Sequence, residues 1–328
     1  MTTINPMKAL YKRLSKAGLS QPFVKKTAFP GWWNDDIALT PAGYGQALSL
    51  ISRNLRINIH FLLQEDAKLD CQNSLPFLNK TPQGVAADKI HWAQCLGERM
   101  AEVALQGAGA VHALPDSAAA MRTELCADNN PPDLEKVLDF CWNIGVPVLY
   151  LHEIPSGTSK PHAMIFRSGG RYVIVLSRKL KYSARAVFDA LHEIGHAVLG
   201  HLSIDGALVN FDVSSDNIEH EANKFAAEVL SGDPDFKVTA ETRINTATLV
   251  NNAYRLGKIH NIDPGVIAMN YSWNSENYPV AMAALKIVEP HADAVGIIRR
   301  YMRDRLDWEQ ISEESAEFLE RMSGGKEE

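Results

Sequence analysis

Two histidines four residues apart, His192 and His196, constrain this chain more than any other feature of its sequence. They lie in a stretch whose apolar residues recur at helical spacing, which predicts a helix over about 182–200 with one buried face. Side chains at positions i and i+4 project from the same face of a helix, one turn apart. The two imidazoles can therefore share a divalent ion, and Glu193 lies beside the coordination position that such an ion leaves open for water.

The residue between the histidines supports this interpretation. Gly195 costs about 1 kcal/mol of helix propensity relative to alanine, so we expect a close neighbour that needs the room. A catalytic zinc also requires three protein ligands, and two histidines leave the set one short. The third ligand must come from elsewhere in the chain.

Glu219 is the best candidate for the third ligand. It lies on a second predicted helix, 215–231, whose buried stripe consists of Ile218, Ala222, Phe225, Ala226 and Val229. Glu219 flanks this stripe, whereas Glu221 falls on the charged outer face. Asn223 follows Glu219 by one turn, where it can form a hydrogen bond with a ligand and orient it.

A nearby third histidine, His201, is excluded as a ligand by its spacing. It follows His192 by nine residues, and nine residues turn a continuous helix by about 900°. His201 would then point to the opposite side from the other two imidazoles. We expect it to interact with the C-terminal end of the helix dipole instead.

The remainder of the chain predicts an α+β protein that is mostly helical. Strands are expected at 148–151, 163–166 and 172–176, the last two joined as a hairpin, and the last could present an edge to an extended peptide. The proline-containing run at 129–133 is the clearest boundary. The expected division is an N-terminal helical domain (1–70), a linker and helical segment (71–130), a domain carrying both motif helices (131–235) and a C-terminal helical region (236–328).

Composition narrows the classes of function. The net charge of −6 argues against bulk attraction to nucleic acid or anionic lipid. The basic residues in the first 30 positions are expected to face water on a small helical cap; the alternative is the remnant of a helix-turn-helix. No apolar run approaches the roughly 18 residues that span a bilayer, so a cytoplasmic protein is expected. The cysteines contain no CxxC pair, and buried reduced thiols are therefore expected at Cys71, Cys95, Cys126 and Cys141.

The paired motifs closely resemble those of the ImmA/IrrE family of metallopeptidases. The residues are His192-Glu193-Ile194-Gly195-His196, followed by Glu219-x-x-Ala222-Asn223-x-Phe225-Ala226-Ala227-Glu228-Val229-Leu230. The resemblance covers about residues 135–235 and extends to thermolysin-like zincins generally. It implies a zincin-like core, in which a small antiparallel or mixed sheet supports the HExxH helix and a glutamate-bearing helix.

This resemblance also implies chemistry and a partner. Zn²⁺ would be held by His192, His196 and Glu219, with Glu193 as the catalytic base. The substrate would be a protein, such as a helix-turn-helix repressor or an antitoxin, cut in stress or phage regulation. Relatives often carry an N-terminal DNA-binding domain that the first 130 residues here do not match, so direct binding to nucleic acid stays an open question. The oligomeric state is open as well.

Two questions stay open at this level. A donor should stabilise the oxyanion of the tetrahedral intermediate, and four residues are candidates: Tyr172, Tyr182, His162 and Tyr271. The alternative to a peptidase is a non-proteolytic metal-binding regulator, or a toxin–antitoxin component, that uses the same fold as a binding module.

Overall fold

The computed structural model describes residues 5–75, 77–79, 86–202, 215–275 and 277–325. Helices dominate these ranges, with two short 3₁₀ turns at Asp35–Leu39 and Trp308–Gln310. The α-helices are α1 (Pro6–Lys16), α2 (Gln21–Ala28), α3 (Pro41–Leu55), α4 (Ile59–Leu63), α5 (Ala87–Gly107), α6 (Ala118–Leu125), α7 (Leu134–Asn143), α8 (Ser183–Val198), α9 (Ser215–Ser231), α10 (Thr246–His260), α11 (Pro264–Ser275), α12 (Tyr278–Val288), α13 (Ala294–Arg305) and α14 (Glu313–Met322).

Four strands form one mixed sheet in the described part of the chain. They are β1 (Phe77–Asn79), β2 (Val148–Tyr150), β3 (Ala163–Ser168) and β4 (Arg171–Leu176), in the spatial order β1-β3-β4-β2. β1 and β4 both run antiparallel to β3, whereas β2 runs parallel to β4. The expected α+β class is therefore confirmed.

Two expectations about the sheet are wrong. β4 lies between β3 and β2, and β2 pairs with residues 174–176 of β4, so this part of the strand has no free edge to offer an extended peptide. Residues 77–79, expected to be linker, instead pair with Met164–Phe166 of β3. A strand of three residues is too short to show the alternation that identifies strands in a sequence, and its pairing partner is almost 90 residues away.

The sheet lies in the interior of the molecule. Residues 163–166 of β3 and 173–176 of β4 are all buried, whichever way their side chains point, because α5 and α8 both pack against these strands. The approach of α5 is close: a Cβ added at Gly97 would lie 2.7 Å from Met164 Cε. The start of α8 is held by Glu289, whose carboxylate accepts hydrogen bonds from the backbone and hydroxyl of Ser183 at 2.7–3.1 Å.

The N-terminal and C-terminal segments contact each other. α14 packs against both α2 and α5, and Arg53 of α3 forms a 2.6 Å ion pair with Glu314. One hydrophobic cluster extends from Met7 to Met322. Among the described residues, no helix has the length and apolar character that crossing a membrane would require.

The cysteines differ from expectation at two of four positions. Cys71 and Cys95 are joined by a disulfide that closes a sequence separation of 24 residues, so the expectation of reduced thiols is wrong there. Cys126 and Cys141 are free, as expected, but only Cys141 is buried, whereas Cys126 is half-buried. The pairing was not predictable because nothing local in the sequence shows that Cys71 folds back against the first turns of α5.

Candidate metal centre

The two motif helices, α8 and α9, pack side by side along their buried faces. Gly195 of α8 faces Phe225 of α9, and a Cβ added at Gly195 would lie 3.0 Å from Phe225 Cδ1. Glycine therefore permits the helices to approach, as its position between the histidines suggests. This approach brings side chains from α8 and α9 to a common point.

His192, His196 and Glu219 converge at that point. His192 Nε2 lies 3.2 Å from His196 Nε2 and 3.1 Å from Glu219 Oε2, and His196 Nε2 lies 3.5 Å from Glu219 Oε1. Two ligands at about 2.05 Å from a tetrahedral zinc are about 3.3 Å apart. The three donor atoms therefore have the spacing of a zinc ligand set, and both imidazoles are fully buried.

The outward-facing nitrogens of both imidazoles also have partners. His192 Nδ1 lies 3.1 Å from Asn223 Oδ1, where the sequence places this orienting residue. His196 Nδ1 lies 2.9 Å from His201 Nδ1, and His201 Nε2 lies 3.0 Å from Glu221 Oε2. The proton on each Nδ1 can thus be donated outward, which leaves both Nε2 lone pairs free to bind an ion.

The expected position of His201 is wrong. α8 ends at Val198, and Gly200 adopts φ +72°, a left-handed conformation that reverses the chain. His201 is therefore not on the continuing helix that the nine-residue count assumes, and it folds back against His196. Glu221 is on the outer face as expected, with its side chain 56% exposed, yet it reaches His201. Gly200 directly before His201 is the signal that could have identified this contact.

The electrostatics of the cluster favour a charged carboxylate. Burial alone would raise the pKa of Glu219, but hydrogen bonds from His192 and His196, and the positive charge of these rings when they are protonated, outweigh it, and the pKa of this carboxyl lies below its usual range. Burial lowers the pKa of His201, so this ring tends to be neutral. A neutral His201 can accept a proton from His196 and donate one to Glu221, as the contacts require.

Glu193 is adjacent to His192 on α8, and its side chain has no exposure to solvent.

The four residues considered as oxyanion donors lie in different places. Tyr182 caps the start of α8, ten residues before His192 and thus about 15 Å along the helix. Tyr271 is buried in α11, and His162 contacts Arg178 at 3.1 Å.

Tyr172 has a different environment. It lies near the start of β4, and the guanidinium of Arg167 is 5.6 Å from the centre of its ring. The same guanidinium donates to the carbonyl of Leu202, the residue after His201, at 3.1 Å. Tyr172 is therefore connected to the segment that follows the metal cluster.

Comparison with known proteins agrees with the motifs. Residues 145–261 match the model of a peptidase family, described as the IrrE N-terminal-like domain, and the matched range contains β2–β4 and α8–α10. The resemblance to ImmA/IrrE metallopeptidases is thus confirmed over this part of the chain, and a metal is the implied cofactor. No curated protein and no solved structure matches the chain.

Proposed function

We propose that this chain, which carries an IrrE N-terminal-like domain of the ImmA/IrrE metallopeptidases, is a zinc-dependent endopeptidase that cuts a protein partner. The observation that carries the proposal is the convergence of three donor atoms at 3.1–3.5 Å beside a buried glutamate. Two imidazoles, one carboxylate and a position for water are the donor set of catalytic rather than structural zinc sites.

His192, His196 and Glu219 would hold the ion. When bound, zinc supplies Lewis-acid chemistry that polarises the scissile carbonyl and lowers the pKa of water toward about 7. Asn223 and His201 would keep the two imidazoles in the tautomer and orientation that binding requires, since each contacts an Nδ1 at about 3 Å.

Glu193 would act as the general base and then as the general acid. It would accept a proton from the attacking water and pass it to the nitrogen of the leaving amine, so that its carboxylate is regenerated in each cycle. The position of Glu193 next to His192 on one helix supports this role. Tyr172 is our candidate for stabilising the oxyanion, because Arg167, which contacts its ring, also donates to the carbonyl of Leu202, one residue after His201.

The substrate class rests on the family resemblance. We propose a helix-turn-helix repressor or an antitoxin, and a partner of this kind would place the enzyme in the cytoplasm. The oligomeric state and direct binding to nucleic acid do not enter the proposal.

The decisive experiment co-expresses the chain with the product of the neighbouring gene and measures intact masses. The wild type should convert the partner into two fragments whose masses sum to that of the partner plus one water. Glu193→Gln should bind zinc with wild-type stoichiometry and leave the partner whole, because the amide cannot accept the proton. Glu228→Gln, a matched change on α9, should cleave like the wild type.

Two outcomes would contradict the proposal. Cleavage by Glu193→Gln at the wild-type rate would remove the proposed base. A wild-type protein that binds the partner and zinc but never cuts would instead favour the non-proteolytic regulator.

A further inference from the structure

A second cluster of metal-binding side chains lies outside the family domain. Cys71, His91 and Cys95 each offer one ligand atom, and these atoms lie within 4.8 Å of one another. His91 and Cys95 are four residues apart on α5, the spacing that His192 and His196 have on α8. Cys71 follows α4 and pairs with Ile57 in an isolated β-bridge. The cluster therefore joins the segment after α4 to α5, which covers the sheet.

The two sulfurs form a disulfide in the structure. In the reducing environment proposed for this protein, the glutathione and thioredoxin systems keep most thiols reduced. The reduced pair would be two sulfur donors with only 3% and 0% exposure at Cys71 and Cys95. Buried thiolates need a compensating charge, and a cation held between them supplies it.

The contacts of His91 indicate which of its two ring nitrogens could bind such a cation. Its Nε2 lies 3.0 Å from the carbonyl oxygen of Cys71 and 3.3 Å from Asp70 Oδ1. Both of these atoms are acceptors, so Nε2 carries the proton and Nδ1 keeps its lone pair. A histidine that donates its second nitrogen to a carbonyl or carboxylate is the usual arrangement of a metal ligand.

The cluster is also accessible. A cleft of about 840 Å³ is lined by Lys16, Leu69, Asp70, His91, Trp92 and Gln94. An ion, a water molecule or a small thiol can therefore reach His91 from this cleft, although the two sulfurs are buried behind it.

We propose that Cys71, His91 and Cys95 form a redox-switched site for a thiophilic divalent cation, with zinc as the natural probe. The oxidised state is the disulfide, and the reduced state binds the ion through two thiolates and one imidazole. Asp70 orients the imidazole, and water from the cleft completes the tetrahedron.

The two states are related by a balanced reaction. A dithiol reductant delivers two electrons and two protons, the Cys71–Cys95 bond breaks to give two thiols, and the reductant becomes a disulfide. Binding of the cation then releases both thiol protons. In the reverse direction hydrogen peroxide takes two electrons from the thiolates and two protons from solvent, leaves as two waters, and the bond re-forms as the ion departs.

Cobalt is the sharpest probe, because thiolate ligands give Co²⁺ an intense charge-transfer absorption that nitrogen and oxygen ligands do not. The full chain, reduced with a phosphine and freed of metal, should take up two Co²⁺ ions and show this band. After oxidation with peroxide it should take up one ion without the band. The His196→Ala variant, which disables the α8–α9 cluster, should keep the band.

Three variants test the assignment of ligands. Cys71→Ser combined with Cys95→Ser should bind one ion in either redox state and lack the band, whereas Cys126→Ser should match the wild type. His91→Ala leaves both sulfurs in place and changes a partly exposed side chain, so it should fold and should lose the band at equimolar cobalt. Absence of the band from the reduced wild type, or its persistence in the double serine variant, overturns the proposal.

Discussion

The two candidate clusters use the same helical spacing but different donors, and the donors decide how each cluster behaves. On α8, His192 and His196 converge with Glu219 of another helix, and none of these three groups can bond covalently to another. On α5, His91 and Cys95 converge with Cys71, and the two sulfurs close on each other. The first arrangement therefore has no covalent alternative to metal binding, whereas the second has one.

The surroundings of the two clusters differ as well. Both α8 histidines are fully buried, and their outer nitrogens are held by Asn223 and by the His201–Glu221 pair. His91 has 32% of its side chain exposed and faces a cleft. We therefore expect the cluster within the matched range to be preorganised and the cluster outside it to respond to its redox surroundings.

The largest expected difference between the two clusters is the loss of zinc affinity caused by Glu219→Ala. Glu219→Ala removes one of three ligands and leaves two imidazoles facing each other, so zinc affinity at the α8–α9 cluster should fall on the order of 1,000-fold, about 4 kcal/mol. Glu221→Ala, which acts only through His201, should cost about tenfold. Competition with a chromophoric chelator measures both.

These variants also test the assignment of helix faces. The reverse order of effects, with Glu221→Ala the more damaging, would show that the ligand is misassigned. Neither change should alter the cobalt band of the Cys71–His91–Cys95 cluster, since that cluster lies on α5 and in the segment before it.

The next largest effect concerns stability at the sulfur cluster. The disulfide closes a separation of 24 residues, so its reduction in metal-free protein should lower the free energy of unfolding by about 3 kcal/mol. Zinc should restore part of this loss to the reduced protein, because it joins the same two residues. Urea denaturation with and without a phosphine reductant measures the difference.

A control is available in the free cysteines. The Cys126→Ser variant should show the same redox dependence as the wild type, because Cys126 takes no part in the disulfide. Equal stability of oxidised and reduced wild type would show that the link contributes nothing to this fold.

The smallest effect should come from Gly195. Gly195→Ala gains about 1 kcal/mol of helix propensity, but its Cβ would lie 3.0–3.3 Å from three atoms of Phe225. If α9 moves outward by a few tenths of an ångström, Glu219 moves with it, and zinc affinity should fall several-fold while overall stability changes by less than about 1 kcal/mol. Calorimetry and chelator competition on the same samples measure the two quantities.

Gly97→Ala is the matched change on α5. Its Cβ would meet the flexible end of Met164 and, at 3.1 Å, two ring atoms of Phe166, both in β3 rather than in a motif helix, so zinc affinity at the α8–α9 cluster should stay at the wild-type value. A loss of affinity equal to that of Gly195→Ala would mean that general destabilisation, and not helix separation, is responsible.

The extent to which the site follows from sequence depends on distance along the chain. The bounds predicted for α8 and α9 agree with the structure to within two residues, because each helix carries its own apolar periodicity. The same periodicity put Glu219 and Asn223 on the face that meets α8. The wrong position predicted for His201 has a local cause. The prediction assumed that the helix continues through His201, whereas the chain leaves the helix before Gly200, which has a left-handed conformation.

The sequence by itself determined the motif helices, the mostly helical α+β class and the candidate ligands on α8 and α9, since these depend on contacts within one or two turns. Only the tertiary structure decided the partner of Cys71, the pairing of β1 with β3 and the interior place of β4. Each of these depends on segments that are far apart in the chain and meet when the hydrophobic core forms. Local sequence patterns do not predict these long-range contacts, because the burial of apolar surface that drives them depends on the whole fold.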